Sequence, residues 1–280
     1  MLEFHAAHRA LAHFNISDSN QLKAIAEAAR ETELPVIVGV SEGERAFFPI
    51  KLVRALVDAY RAQGIEMFLN ADHTYSIEKA HAAIDDGVDS IVIDGAKLSF
   101  ADNVAFASTC VAYARASGRD VLVEGELGYI GSSSEVIDAI PEGAIVTEEM
   151  MNKPEELTAL VAASGVDMMA PAVGNIHGIV TSGQPKLSIN RIAELAAAAP
   201  SVPLVLHGGS GSPDEEFSAA VAAGIAIIHI NTNLRLAYRR GIERGLAAMP
   251  KEVAPYKFLT PAVEDMQKYT AQKMRLFAKV

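Results

Sequence analysis

Short apolar runs alternate with amphipathic stretches from one end of this chain to the other. Eight runs have the length and the β-branched or aliphatic content of buried strands: Leu11 to Ile16, Pro35 to Ser41, Ile65 to His73, Asp89 to Gly95, Val121 to Leu127, Val166 to His177, Val202 to Gly208 and Ala226 to Thr232. Helix-like segments lie between them, such as Gln21 to Ala29 after the first run and Ile192 to Ala196 before the seventh. Eight strands, each followed by a helical stretch, predict an α/β fold of the (β/α)8 TIM-barrel type. No shift in composition marks a linker, so residues 1–280 are expected to form a single TIM-barrel domain. An amphipathic helical segment from about residue 238 to residue 280 is expected to close the barrel or to meet another subunit. The longest irregular stretch runs from Gly128 to Thr147 and contains Ser132, Ser133, Ser134, Pro141 and Gly143. It follows the fifth strand, where a long connection is expected to act as a mobile loop over the active face.

Chemistry in such a barrel collects at the C-terminal ends of the strands. Those ends read Asn15, Ser41, Asp72-His73, Asp94, Glu124 and Glu126, Asn175 and His177, His207, then His229 with Asn231. Six of the eight carry a carboxylate or an imidazole, whereas ordinary surface polarity would scatter over both ends and the helices. His73, His177 and His207 come from separate runs and suit a catalytic zinc site with an open position for substrate. Any one of them alone reads as a hydrogen-bonded structural histidine, and the clustering favours the metal. His5, His8, His13 and His81 lack that context and read as structural or solvated.

Asp72 beside His73 reads as a partner that orients a ligand or as a general acid/base. Adjacent strand residues face opposite sides, so both reach the mouth only where regular pairing ends. Asp94 and Glu126 read as alternative metal ligands, as acceptors behind the ligands, or as ion-pair partners of a lysine such as Lys97. Glu124 and Glu126 share a strand face, and two carboxylates that close call for a cationic partner on at least one. Gly208, Gly209 and Gly211 follow His207 directly, where barrels often cradle a phosphate on backbone N–H groups.

Composition narrows the function classes. Hydrophobic residues make up 50% of the chain, charged residues 21%, and the net charge is −11. A balance this acidic argues against a nucleic-acid partner, because phosphate backbones require a basic face. It leaves room for a substrate phosphate held by amides and a metal. Cys110 is the only cysteine, which excludes an intramolecular disulfide and fits a reducing compartment. No signal-peptide pattern and no membrane-length apolar run is found, so a cytoplasmic protein with no membrane partner is expected.

Taken together, several runs resemble the class II, metal-dependent ketose-bisphosphate aldolase family, which includes fructose-bisphosphate aldolase. They are Phe14-Asn15, Leu69 to His73, Ile93 to Ala96, Val123 to Gly128, Val173 to Gly178, Leu204 to Gly211 and Ile230 to Arg235, in the family's order over nearly the whole chain. The resemblance implies that His73, His177 and His207 hold Zn2+, and that Asp94 and Glu126 take it in an alternate position. It implies that Asp72 is the acid/base acting on the C4 hydroxyl. Gly178, Gly208, Gly209, Ser210, His229, Asn231 and Thr232 would hold the dihydroxyacetone-phosphate half, with Asn15 and Ser41 nearby. A homodimer or homotetramer and a monovalent cation, Na+ or K+, beside the phosphate are also implied.

The family usually has Asn where this chain has His229, and often Asp where it has Asn231. Its loop usually reads Gly-Gly-x-Glu, whereas here the glutamate falls one place later, at Glu135 after Gly131-Ser132-Ser133-Ser134. Glu135 is the candidate proton donor to the enediolate. The implied reaction is reversible aldol cleavage of fructose 1,6-bisphosphate to dihydroxyacetone phosphate and glyceraldehyde 3-phosphate. The alternatives are another phosphorylated ketose such as tagatose 1,6-bisphosphate, or a phosphosugar-binding barrel without turnover. A Schiff-base aldolase needs a strand lysine, and none lies in the eight runs. A metal-dependent hydrolase would favour a paired His-x-His on the first strand, where only His13 occurs.

Overall fold

The computed structural model describes residues 7–131, 135–140, 144, 147–181 and 183–280. Ten strands occur among them: β1 Leu11–Asn15, β2 Val36–Val40, β3 Met67–Thr74, β4 Ser90–Ile93, β5 Leu122–Leu127, β6 Val136–Ile137, β7 Met168–Pro171, β8 Ile179–Val180, β9 Leu204–Leu206 and β10 Ile225–Ile230. Eight of them close into a parallel barrel in the order β1-β10-β9-β7-β5-β4-β3-β2, with helices between successive strands. This is the (β/α)8 architecture predicted from the alternation of apolar runs, and each of the eight runs supplies one barrel strand.

The barrel interior follows from a period of two. Leu11, Ile37, Phe68, Leu122, Val205 and Ile227 pack with Met168 and Ala170 as an apolar floor. Two residues further along each of these strands come His13, Gly39, Asn70, Glu124, His207 and His229. Two further come Asn15, Ser41, Asp72, Glu126, Gly209 and Asn231, so the same faces deliver first a buried polar layer and then the mouth. Barrel interiors are ordinarily filled by branched apolar side chains, and here only the floor obeys that rule.

Two local departures from regular strand geometry set the mouth. In β3 the register against β4 shifts between Ala71 and Thr74, and His73 adopts a left-handed backbone with φ of 38°. This bulge turns both Asp72 and His73 into the barrel mouth, which regular pleating forbids. The half-buried Arg45 side chain braces it, donating from Nη2 to the His73 carbonyl at 3.2 Å and to Thr74 Oγ1 at 3.0 Å. The sixth run ends early as a strand. β7 stops at Pro171, six residues before His177, so His177 stands on the following loop rather than at a strand end.

That loop is stitched to the one after β5. β6 and β8 form a small parallel pair, with Val136 opposite Ile179 and Ile137 opposite Val180. The His177 amide donates to the Ile130 carbonyl at 2.9 Å, and the Ile179 amide donates to the Glu135 carbonyl at 2.9 Å. Ser132, Ser133, Ser134, Pro141 and Gly143 lie outside the described residues, as does His5.

After β10 the chain runs into a helix over Thr232–Ala248, a short one over Pro255–Phe258 and a long one over Thr260–Ala278. The first and last of these pack closely because Gly241 and Gly245 present bare backbone. A Cβ on Gly245 would lie 2.0 Å from the Phe258 carbonyl oxygen, and one on Gly241 would lie 2.3 Å from Ala262 Cα. Neither backbone can yield cheaply. Gly245→Ala is therefore expected to destabilise the protein by about 1–3 kcal/mol, read as a lower urea midpoint with the m-value unchanged.

Candidate metal centre and substrate pocket

Three imidazoles meet at the mouth. His73 comes from the bulge in β3, His207 from the residue after β9, and His177 from the loop after β7. Their candidate ligand atoms lie within 4.8 Å of one another. The His73 and His177 ring centroids are 4.8 Å apart, and those of His177 and His207 are 5.9 Å apart. His207 Nε2 lies 2.6 Å from Glu124 Oε1, and His73 Nδ1 lies 2.9 Å from Asp94 Oδ2 and 3.1 Å from Glu126 Oε2. Each ring thus points one nitrogen at a carboxylate and frees the other. The two freed nitrogens, His207 Nδ1 and His73 Nε2, face each other at 3.1 Å.

These two nitrogens either share a proton, which the raised proton affinity of His73 favours, or turn both lone pairs on a cation seated between them. Two nitrogen ligands on a tetrahedral zinc are about 3.3 Å apart, by the ordinary Zn–N distance. His177 Nε2 is buried with no hydrogen-bond partner, a third lone pair available to the same ion. The donor set fits a zinc-like metal. A second set, His73, Asp94 and Glu126, adjoins it through the shared His73.

The electrostatics agree. Burial pushes His207 down to about 3 and holds His177 well below the ordinary imidazole range, so both are neutral and fit to ligate. Burial also disfavours charge on His73, but Asp72 and Glu126 outweigh it and raise His73 well above its usual value. Glu124 and Glu126 are pushed up to about 7, chiefly by burial. Burial works against the ionised form of Asp72 as well, yet the charge of His73 and contact with His229 hold it well below the carboxylate range. A cluster of buried carboxylates with one imidazole inclined to charge attracts a cation. Lys97 lies beside Asp94 and Glu126 but points its Nζ over the Tyr129 ring at 4.7 Å.

Asp72 is fixed from two sides. Its Oδ2 accepts from Asn15 Nδ2 at 2.8 Å, and its Oδ1 lies 3.4 Å from His229 Nδ1. The same Asn15 amide donates to Glu44 Oε2 at 2.9 Å, and Glu44 in turn accepts from the Ser41 amide at 2.8 Å and from Arg235 Nη2 at 2.5 Å. A cavity of about 240 Å³ opens above these groups. Asn15, Ser41, Asp72, His73, His177, Gly178, His207, Gly208, Ser210, His229, Asn231 and Thr232 all line it. Its far wall is the start of the Thr232–Ala248 helix, where the Asn233 amide donates to Ser210 Oγ at 3.3 Å and the Gly211 amide to Asn233 Oδ1 at 2.9 Å. A helix N-terminus beside a glycine turn is a ready anion site.

Some expected residues stand apart from that cavity. Asp94 and Glu126 line a neighbouring one with Tyr75, Lys97, Tyr129 and Gly131. Gly209 packs behind the wall against the His229 carbonyl and Phe217. Glu135 is exposed and joins the site only through its backbone bond to Ile179. Arg235 and Glu44 were missed by the strand-end reading, because they sit on helices that follow the strands. Of the two readings given to His13, structural or solvated, its full burial two residues below Asn15 on β1 fits the structural one. Its position in the alternation was the available signal.

A closed parallel barrel with convergent imidazoles, carboxylates behind them and an anion cradle opposite defines a metal-dependent barrel enzyme. Residues 2–280 match the family described as fructose-bisphosphate aldolase class II. The chain is 34% identical to a probable fructose-bisphosphate aldolase of Bacillus subtilis, covering 96% of this chain and 92% of that protein. It is 35% identical to a fructose-bisphosphate aldolase of Geobacillus stearothermophilus, covering 96% of this chain and 91% of that protein. Its fold is similar to the crystal structure of the YdjI aldolase from Escherichia coli K12, with a TM-score of 0.79, 25% identity and coverage of 99% and 94% of the two chains. The chain belongs to the class II fructose-bisphosphate aldolase family. It is accordingly a lyase of the metal-dependent kind, acting on a phosphorylated sugar. No described helix is long and apolar enough to cross a membrane.

Glu124 Oε1 lies 2.6 Å from His207 Nε2, and where His207 holds the metal this contact would set the orientation of its ring. Glu124→Gln is expected to weaken metal binding about 10–100-fold, measured by competition with a chromogenic chelator. Unchanged affinity would remove Glu124 from the metal centre.

Proposed function

We propose that the protein cleaves fructose 1,6-bisphosphate reversibly to dihydroxyacetone phosphate and glyceraldehyde 3-phosphate, with Zn2+ held by His73, His177 and His207. The observation that carries this reading is the meeting, in one cavity, of three imidazoles with ligand atoms within 4.8 Å of one another and the ionised Asp72 carboxylate. When bound, the metal polarises the substrate carbonyl and offsets the negative charge that develops beside it. Asp94 and Glu126, on the other side of His73, offer the ion an alternate position.

Asp72 Oδ1 takes the proton of the C4 hydroxyl, since Oδ2 is already engaged by Asn15. The O–H electrons become the aldehyde C=O, the C3–C4 bond breaks, and its electron pair passes to the C2–C3 fragment. Glyceraldehyde 3-phosphate departs, and a proton delivered at C3 completes dihydroxyacetone phosphate. We assign that proton to Glu135, which directly precedes β6 and whose carbonyl accepts from the amide of Ile179, two residues beyond His177. Gly178, Gly208, Ser210, Asn231 and Thr232 would receive the phosphate nearest the metal, with Gly209 supporting the turn from behind. Arg235, the one arginine or lysine among the described residues lining the cavity, would meet the other phosphate beside Ser41. The family resemblance further supports a cytoplasmic homodimer or homotetramer and a Na+ or K+ ion beside the phosphate.

A coupled assay on fructose 1,6-bisphosphate tests the reading. Turnover is expected to vanish on exhaustive chelation and to return with Zn2+. Asp72→Ala is expected to lower kcat by about 10²–10⁴-fold while metal content stays at one ion per chain. Chelator-resistant activity, or an Asp72→Ala enzyme with full turnover, would refute it.

A further inference from the structure

Beneath the substrate cavity, two imidazoles from neighbouring strands lie flat against each other. His13 on β1 and His229 on β10 are register partners, with ring centroids 3.5 Å apart and planes 3° from parallel. His229 lines the cavity, while His13 is completely buried behind it and takes no part in the chemistry above. We propose that His13 is a positioning residue for Asp72, acting through the His229 ring that it holds by stacking. The proposal rests on the assignment of Asp72 as the acid/base.

The His13 ring is itself firmly placed. Its Nε2 bonds to Asn70 Oδ1 at 3.1 Å, and Asn70 Nδ2 donates to Ser90 Oγ at 2.8 Å. Gly39 on the adjoining strand makes the space, because a Cβ there would lie 2.1 Å from His13 Cε1. On the far side, His229 is confined by His207, whose ring centroid is 4.0 Å away at a tilt of 32°. Held between two rings, His229 keeps its Nδ1 at 3.4 Å from Asp72 Oδ1, the oxygen that Asn15 leaves open. A line of contacts therefore runs from Ser90 through Asn70, His13 and His229 to the carboxylate.

A second metal site is the rival use of these groups, since ligand atoms of His13, Asp72 and His229 also fall within 4.8 Å. The stack rules it out. Imidazole lone pairs lie in the ring plane, and rings stacked in parallel aim them along parallel lines, so no single ion can lie in both planes. Burial pushes His13 to about 3 and His229 to about 4, which leaves both rings neutral and free to stack without charge repulsion.

Two substitutions separate the stack from the hydrogen bond. His13→Gln keeps a donor for Asn70 but removes the ring, whereas His13→Phe keeps the ring and removes the donor. His13→Gln is expected to lower kcat about ten-fold through misplacement of the acid/base, with KM and metal content unchanged. His13→Phe is expected to stay within about two-fold of the parent. In a His229→Ala background, His13→Gln is expected to add no further loss, because residues acting through one another are non-additive. Full turnover in His13→Gln, an equal loss in His13→Phe, metal loss parallel to activity, or additive losses in the double variant would each overturn the proposal. Asp72→Ala is assayed beside them: an inactive Asp72 variant with a normal His13→Gln refutes only this proposal, and an active one refutes the Asp72 assignment itself.

Discussion

Nine ionisable side chains, five imidazoles and four carboxylates, converge inside the mouth of one closed barrel. Each would be costly alone away from water, and together they are tolerable only as partners. The carboxylates outnumber the imidazoles inclined to carry charge, so the layer favours a cation, in keeping with the metal dependence of the family. That shortage of positive charge sets the rest of the site. It orients His207 through Glu124 and His73 through Asp94 and Glu126, and it leaves bare nitrogens pointing at one spot.

The pattern of apolar and polar positions was enough to place this layer at the strand C-termini, because a period of two is a property of the backbone and not of any particular partner. It also called for a cationic partner on at least one of Glu124 and Glu126; Glu126 meets His73, the imidazole inclined to charge, whereas Glu124 meets the neutral His207. What the strand-end rule could not see was depth. His13 occupies the second step of its strand rather than the third, and it was grouped with His81, which stacks on Tyr113 outside the barrel at 3.6 Å. Only the register between β1 and β10 shows that His13 lies level with His229.

Elements fixed by distant partners were equally hidden. His177 reached the expected site by an unexpected route, through a loop tied by β6 and β8, two-residue strands too short to leave any periodicity. Arg235 and Glu44 are 191 positions apart and meet only because the barrel closes β10 against β1. The bulge in β3 could be argued from adjacency, since Asp72 and His73 cannot both face inward on a regular strand. Its brace, Arg45, could not, because Arg45 reaches back from the helix that follows β2.

The site thus divides between a rigid base and a wall assembled from loops. The apolar floor and the Ser90–Asn70–His13 line belong to strands whose hydrogen bonds are satisfied by their neighbours. His177 and Glu135 belong to loops held by a few backbone bonds. On the proposed reading, proton abstraction at Asp72, which needs placement to a fraction of an ångström, would be built on the strands. Proton delivery from Glu135 and ligand exchange at the metal, which need access, would be built on the loops. Asn15 joins the two requirements, because one amide nitrogen touches both Asp72 and the Glu44–Arg235 pair at the rim. On the proposed reading, a phosphate drawn to Arg235 would compete with Glu44 for that guanidinium, and the charge of the bound substrate would reach Asp72 through a single hydrogen-bonded side chain.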